Sequence, residues 1–110
     1  MVANDVTAAR VFDAMGDPTR RQVLELLRDG ERAVVELAAE LPVSRPAVSQ
    51  HLRVLKGAGL VTERREGTRH LYRVDPEGLA TLRTYLERMW DDSLATFKAA
   101  AEQDGEGADR

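Results

Sequence analysis

Residues 44–56 carry the side chains of this chain that are best suited to binding another molecule. One side of the helix predicted there is apolar at core spacing, with Val48, Leu52 and Leu55. The other side has no carboxylate and presents Arg45, Pro46, Ser49, Gln50, Arg53 and Lys56. Glutamine and arginine can read base edges in a DNA groove, and serine, arginine and lysine can hold phosphates. This pattern predicts a DNA-binding helix, with an ordinary solvated surface helix as the alternative.

The boundaries of this helix are marked by local signals. Ser44 is suited to the N-cap, since its hydroxyl can accept a hydrogen bond from an unpaired amide of the first turn. Pro46 helps to fix the start of the helix and is placed to touch a thymine methyl group. Gly57 or Gly59 supplies the end.

Two further helices are predicted before this one. Asp17 and Pro18 are a cap and a first helical residue, and the helix they open ends near Gly30. A short helix follows over residues 33–40, and Pro42 makes the connection after it tight because proline disfavours helix at the preceding residue. A short helix, a brief turn and a longer polar-faced helix form a helix-turn-helix.

A basic β-hairpin is predicted directly after the helix-turn-helix. Residues 60–65 and 69–74 favour strands, and residues 66–68 form the turn between them. Leu71 and Val74 do not alternate strictly, so the pattern leaves the register of the strands open. A hairpin of this kind is typical of the wing of a winged helix-turn-helix; a solubilising edge hairpin is the alternative. The side chains around its tip that we expect to contact phosphates are Arg64, Arg65, Arg69 and His70.

Several motifs follow one another in a fixed order between about residue 8 and residue 98. They occupy residues 12–21, 24–27, 36–38, 44–55, 58–61 and 65–72. Together they resemble the ArsR/SmtB family of bacterial repressors. The resemblance implies a mainly α fold with a small β-hairpin, arranged as a winged helix-turn-helix. It also implies a homodimeric repressor that binds double-stranded DNA at an imperfect palindrome near its own promoter.

The last predicted helix, which begins at Asp75-Pro76, has a long apolar face. A chain of this size has little core left to cover such a face, so we expect part of it to pair with a second copy, with packing inside the chain as the alternative. The resemblance implies that the N- and C-terminal helices form the dimer interface. The predicted interface residues are Val6, Val11, Phe12, Met15, Leu82, Leu86, Met89, Trp90 and Phe97. A twofold dimer places two recognition helices about one DNA turn apart, which suits a palindromic operator.

Composition and charge agree with one DNA-binding domain. The 110 residues are 43% hydrophobic, and we expect one domain over residues 1–101 with a disordered acidic tail over residues 102–110. The net charge of −3 is unevenly distributed, since residues 41–73 carry seven cations and two anions, whereas residues 74–110 carry four cations and nine anions. DNA binding responds to the local field more than to the total charge. The sequence shows no signal peptide or membrane span, so a cytoplasmic location without membrane contact is expected.

The residue types restrict what the protein can sense. The chain has no cysteine, which excludes thiolate metal sites and thiol redox switches. The last helix has Glu87, Asp91 and Asp92 but no histidine, and the adjacent aspartates point about 100° apart. We therefore expect no metal and no cofactor, and the inducer, a small molecule or a partner protein, is not identified by the residues.

Other classes of function are less consistent with the sequence. No nucleophile–base pair and no glycine-rich phosphate loop is present, so an enzyme is not expected. Within DNA binding, the alternative is a dual regulator that activates some promoters and represses others. Outside it, the alternative is a winged-helix adaptor that binds a protein, because a fold does not determine a function.

Overall fold

A computed structural model describes the backbone of residues 2–108 and the side chains of residues 7–104. The elements are α1 Val2–Met15, α2 Pro18–Leu26, β1 Arg32–Ala33, α3 Val34–Glu40, α4 Arg45–Gly57, β2 Val61–Glu66, β3 Arg69–Val74 and α5 Pro76–Ala108. The predicted fold class, mainly helical with a small antiparallel sheet after a helix-turn-helix, is confirmed.

Helices α2 and α4 begin where the capping residues predict. The Asp17 carboxylate accepts hydrogen bonds from two amides of the first turn of α2, at 2.8 and 3.1 Å. Ser44 Oγ accepts from the amide of Ala47 at 3.3 Å, which caps α4. A proline lies in the first turn of both helices, where its missing N–H has no partner to lose. The first residues of α2 and α4 are therefore determined by capping residues that lie next to them in the sequence.

The sheet has three strands in the order β1-β3-β2, and both pairings are antiparallel. In the hairpin Val61 lies opposite Val74 and Glu66 lies opposite Arg69, which settles the register that the sequence left open. Gly67 makes the turn with a φ of +64°, a conformation that glycine adopts without a steric penalty. Strand β1 was not predicted, because two residues are too few to show an alternating pattern.

The core is built from the apolar sides of α1 to α4 and the start of β2. Val48, Leu52 and Leu55, the predicted core positions of α4, are all completely buried. The cluster also contains Val11, Ala14, Val23, Leu24, Leu27, Leu37, Leu60 and Val61. Since α4 uses its apolar side for this core, its polar side remains at the surface.

Two corners connect the terminal helices to the rest of the fold. Arg20 Nε and Arg21 Nη1 on α2 donate to the carbonyls of Ala14 and Met15, each at 2.7 Å, and so cap the end of α1. At the other corner the chain leaves α4 after Gly57 and passes through Gly59, whose φ is +80°. A Cβ placed on Gly78 of α5 would lie 2.1 Å from the Gly59 carbonyl oxygen. Only a residue without a side chain allows α5 to approach α4 so closely.

The terminal helices bear on two further predictions. α5 continues to Ala108, and the alanines and Glu102 before Gly105 favour helix. The disordered acidic tail over residues 102–110 stays a prediction. Residues 109 and 110 lie outside the described residues. Val11 is wrong as an interface residue, because it is completely buried in the core of its own chain. The side chain of Val6 lies outside the described residues. Within the described part of the chain, no helix is long and apolar enough to cross a membrane.

Candidate nucleic-acid interface

The outer side of α4 presents the polar residues that were predicted for DNA binding. Ser49 is half-buried, and the others, Ser44, Arg45, Pro46, Gln50, Arg53 and Lys56, are exposed. Arg53 Nη1 donates to Gln50 Oε1 at 3.0 Å, so the two side chains are held side by side. Arg45 makes no hydrogen bond or ion pair with any residue that the structure describes. The face therefore combines an amide, a serine hydroxyl and guanidinium groups that can meet base edges or phosphates.

A groove of about 500 Å³ separates α4 from the hairpin. Its α4 side is formed by Arg45, Ser49, Arg53 and Lys56, and its hairpin side by Thr68, Arg69, His70, Glu63 and Tyr72. The fold thus brings Arg69 and His70 next to the helix. Arg64 and Arg65 do not line the groove, although both are exposed on β2.

Glu63 lies at the centre of a hydrogen-bonded cluster in this groove. Its carboxylate accepts from Lys56 Nζ at 2.9 Å and Tyr72 OH at 3.0 Å, and it contacts His70 Nδ1 at 2.5 Å. The Lys56 ammonium and the His70 ring lower the pKa of Glu63 to about 2, so this carboxylate is ionised at neutral pH. Burial and the bond to Glu63 raise the pKa of Tyr72 to about 12. The Glu63 carboxylate is therefore a negative charge that lies among the cations of this surface.

The sequence did not identify Glu63 and Tyr72 as members of this surface. The two residues lie directly opposite each other in the hairpin. A correct register would have indicated their contact, because opposed residues on one face of a sheet lie close together.

The arginines of the hairpin differ in their partners. Arg64 binds Glu31 through two nitrogens, at 2.8 Å from Nε and 2.7 Å from Nη2, and also reaches Glu66 at 3.0 Å. Arg69 Nη2 donates to Glu36 Oε1 at 2.9 Å. Arg65 has no such partner among the described residues. The partners Glu31 and Glu36 each stand 33 positions from their arginines, so no local pattern could have predicted these pairs.

A second surface runs along α5 and is apolar. A depression of about 610 Å³ is lined mainly by Leu79, Leu82, Leu86, Met89 and Trp90. Trp90 is 68% exposed and Phe97 is 72% exposed. Apolar side chains that are scattered singly on a surface are ordinary, whereas a continuous row of them marks an interaction surface. Of the other predicted interface residues, Leu82 and Met15 are partly buried against the core, and Phe12 packs edge-on against Tyr85 with ring centroids 5.0 Å apart.

The described residues contain no cluster of three or more histidine, aspartate or glutamate side chains that could hold a metal ion. The surface between α4 and the hairpin consists of side-chain cations, hydroxyls and amides together with the Glu63 carboxylate. A helix-turn-helix followed by a hairpin, with such a surface on the second helix, defines a winged helix-turn-helix.

Comparison with known proteins supports this class. The family described as "Bacterial regulatory protein, arsR family" matches residues 17–63. An HTH-type transcriptional regulator of Mycobacterium tuberculosis is 52% identical over 97 residues, which cover 88% of this chain and 91% of that protein. The transcriptional repressor SdpR of Bacillus subtilis is 40% identical over 57 residues, covering 52% of this chain and 63% of SdpR.

A solved structure shows the same architecture. It is the solution structure of a homodimeric winged helix-turn-helix DNA-binding domain from Mycobacterium bovis, with a TM-score of 0.68 and 39% identity. The likeness covers 84% of this chain and 86% of that one. The chain described here belongs to the ArsR family: it is a DNA-binding transcriptional regulator and not an enzyme.

Proposed function

We propose that this regulator is a homodimeric repressor that binds a palindromic operator near its own promoter. The observation that carries the proposal is the pair of exposed surfaces, one polar and cationic on α4, the other apolar on α5. SdpR, a relative, is a repressor, and the domain from Mycobacterium bovis is a homodimer, which supports both parts of the proposal.

Each residue of the α4 surface has a proposed role. Gln50 and Arg53 read bases in the major groove, and Arg45 and Ser49 contact bases or phosphates. Pro46 touches a thymine methyl group. The remaining residues, Ser44, Lys56, Arg64, Arg65, Arg69 and His70, contact the DNA backbone. The groove between α4 and the hairpin is the place where one phosphate strand passes.

The dimer interface uses the apolar face of α5 together with α1. Leu86, Met89, Trp90 and Phe97 are half to three-quarters exposed in the single chain, and contact with a second copy would remove this apolar area from water. Leu82 lines the same face of α5, and Phe12 and Met15 are the proposed contribution of α1. A twofold axis there sets the two α4 helices to read the two half-sites of a palindrome.

Release of the repressor from DNA is proposed to depend on neither a metal nor a thiol. The chain has no cysteine, so the soft thiolate ligands that select zinc, cadmium or arsenic are missing. The acidic side chains of α5, such as Glu87 and Asp91, have no histidine beside them on that helix. A small molecule or a partner protein is the proposed inducer.

The proposal is tested by fluorescence anisotropy with the duplex upstream of the protein's own gene and a shuffled copy of it, across a salt series. A repressor of this kind binds its own sequence about 10³-fold more tightly than the shuffled one at physiological salt. Equal and weak binding to both duplexes, vanishing as salt rises, would contradict operator binding and favour a protein-binding adaptor.

A further inference from the structure

The cations of the DNA-facing surface are not equally available. Arg45 and Arg65 make no ion pair with the described residues, whereas Lys56, Arg64 and Arg69 are each bound to a glutamate. The three glutamates come from different parts of the chain: Glu63 lies on β2, Glu36 on α3, and Glu31 just before β1. Each of these ion pairs therefore joins two different parts of the fold and forms only when the chain is folded.

The Arg64–Glu31 pair has the geometry of a strong ion pair. Two parallel hydrogen bonds of 2.7 and 2.8 Å occupy the Nε and Nη2 edge of the guanidinium. The bonds lower the pKa of Glu31 and raise that of Arg64, so both groups stay charged near neutral pH. A phosphate that bound this edge of Arg64 bidentately would have to displace the Glu31 carboxylate.

Lys56 and Arg69 are held in a similar way. Glu63 is only 19% exposed and already binds Lys56, His70 and Tyr72, so it is fixed in place beneath the groove. Glu36 Oε1 accepts from Arg69 and also from the backbone amide of Ala33 at 3.0 Å, which fixes it at the start of α3. These two carboxylates cannot swing away when DNA approaches without losing other bonds.

A phosphate that binds one of these cations must replace a carboxylate. As long as the carboxylate holds the cation, that cation neutralises no phosphate, and the counterion condensed on the DNA at that phosphate is not released. Non-specific DNA affinity comes mainly from such electrostatic neutralisation, with a slope of about −0.9 in log K against log salt for each phosphate neutralised.

We infer that Glu31, Glu36 and Glu63 compete with DNA phosphates for Arg64, Arg69 and Lys56 and thereby lower the sequence-independent part of the DNA affinity. The base contacts made from α4 then decide where the protein binds. These glutamates are specificity-determining residues of the interface, and the inference rests on the DNA-binding surface proposed above.

The test is a double-mutant cycle on Glu31 and Arg64, measured on the shuffled duplex between 50 and 200 mM salt. The cycle is made in a Glu66→Gln background, so that no second carboxylate remains on Arg64 at 3.0 Å. We expect Glu31→Gln to bind more tightly at low salt and to steepen the salt slope by about 0.9, which enlarges the loss of affinity across this range about 3-fold. In the Arg64→Gln background the same change should have no such effect, because no paired cation is left to release.

Two controls make the cycle decisive. Glu25→Gln removes a carboxylate of equal charge on α2, which pairs with Arg28 at 3.1 Å between two exposed side chains, and should leave the slope unchanged. Glu36→Gln repeats the experiment on the Arg69 pair while keeping an oxygen for the Ala33 amide. Thermal unfolding of each variant checks that the fold is kept.

Two results would overturn the inference and leave the proposed function standing. One is a salt slope that stays the same when Glu31→Gln is introduced. The other is a gain in DNA affinity that persists in the Arg64→Gln background, which would mean that Glu31 acts by simple repulsion of DNA. Failure of the wild type to bind either duplex at any salt would remove the proposed function and this inference together. If the wild type shows no preference for the upstream duplex but Glu31→Gln changes the salt slope as expected, only the proposed operator is contradicted.

Discussion

Helices α4 and α5 are both amphipathic, yet they leave opposite kinds of surface exposed. α4 buries Val48, Leu52 and Leu55 completely and exposes amide and guanidinium groups. α5 keeps much of its apolar side at the surface, with Trp90 68% and Phe97 72% exposed. The helices meet end to end at the contact of Gly59 with Gly78.

The difference indicates which partner each helix can have. A helix whose apolar side is used inside the chain offers only hydrogen bonds and charge, which suit a nucleic acid. A helix whose apolar side is unused offers area to remove from water, which suits another protein surface. One short chain can therefore present a face suited to DNA and a separate face suited to another protein surface.

The largest expected effect of a single substitution is on the apolar face. Trp90→Ala should weaken self-association about 100-fold, since a buried tryptophan at the centre of an interface contributes about 2–4 kcal/mol. Sedimentation equilibrium of the two proteins measures it. Lys98→Ala, an exposed change on the same helix, is the matched control. Equal dimer affinities for Trp90→Ala and wild type would mean that α5 does not form the interface.

The next effect concerns the junction of the two helices. Gly78→Ala should lower the free energy of unfolding by about 1–3 kcal/mol, because its Cβ would stand 2.1 Å from a backbone oxygen that cannot move away. Gly57→Ala should raise it by about 0.4–1 kcal/mol, since nothing lies within 4 Å of the added carbon. Urea unfolding measures both. A free energy of unfolding that Gly78→Ala leaves unchanged or raises would show that α5 does not approach the end of α4 closely at this corner.

A smaller effect separates base reading from phosphate binding on α4. Gln50→Ala should reduce the preference for the operator over the shuffled duplex by about 1–3 kcal/mol, if Gln50 makes a bidentate base contact. Competition binding with both duplexes measures this. Equal losses on the two duplexes would assign Gln50 to the phosphates instead.

The smallest effect is predicted for the hairpin. Arg65→Ala should weaken binding to every sequence alike and reduce the salt slope by about one, because this unpaired arginine holds a single phosphate. Anisotropy across a salt series measures the slope. A change confined to the operator would show that Arg65 reads sequence or shape.

Local features of the fold were predictable from the sequence, and long-range ones were not. The starts of α2 and α4 follow from Asp17 and Ser44, since a cap acts within one turn of its own helix. Strand β1 is defined only by its pairing with Leu71 and Tyr72, nearly 40 residues away. Its own two residues carry no pattern from which a strand could be predicted.

The candidate site shows the same division. The polar side of α4 could be read from helical spacing, because that spacing is a local geometry. The partners Glu31 and Glu63 could not, since each depends on how the hairpin docks against the rest of the chain. The burial of Val11 was missed for a related reason: an apolar residue of a terminal helix has the same appearance in a core and in an interface.

We propose that DNA and a second copy occupy separate faces of this chain at the same time. The deciding experiment is sedimentation velocity of the protein with a labelled upstream duplex, at a salt concentration where the shuffled duplex stays unbound. We predict two chains on each duplex, and loss of this complex in Trp90→Ala. One chain per duplex, with affinity unchanged by Trp90→Ala, would contradict it.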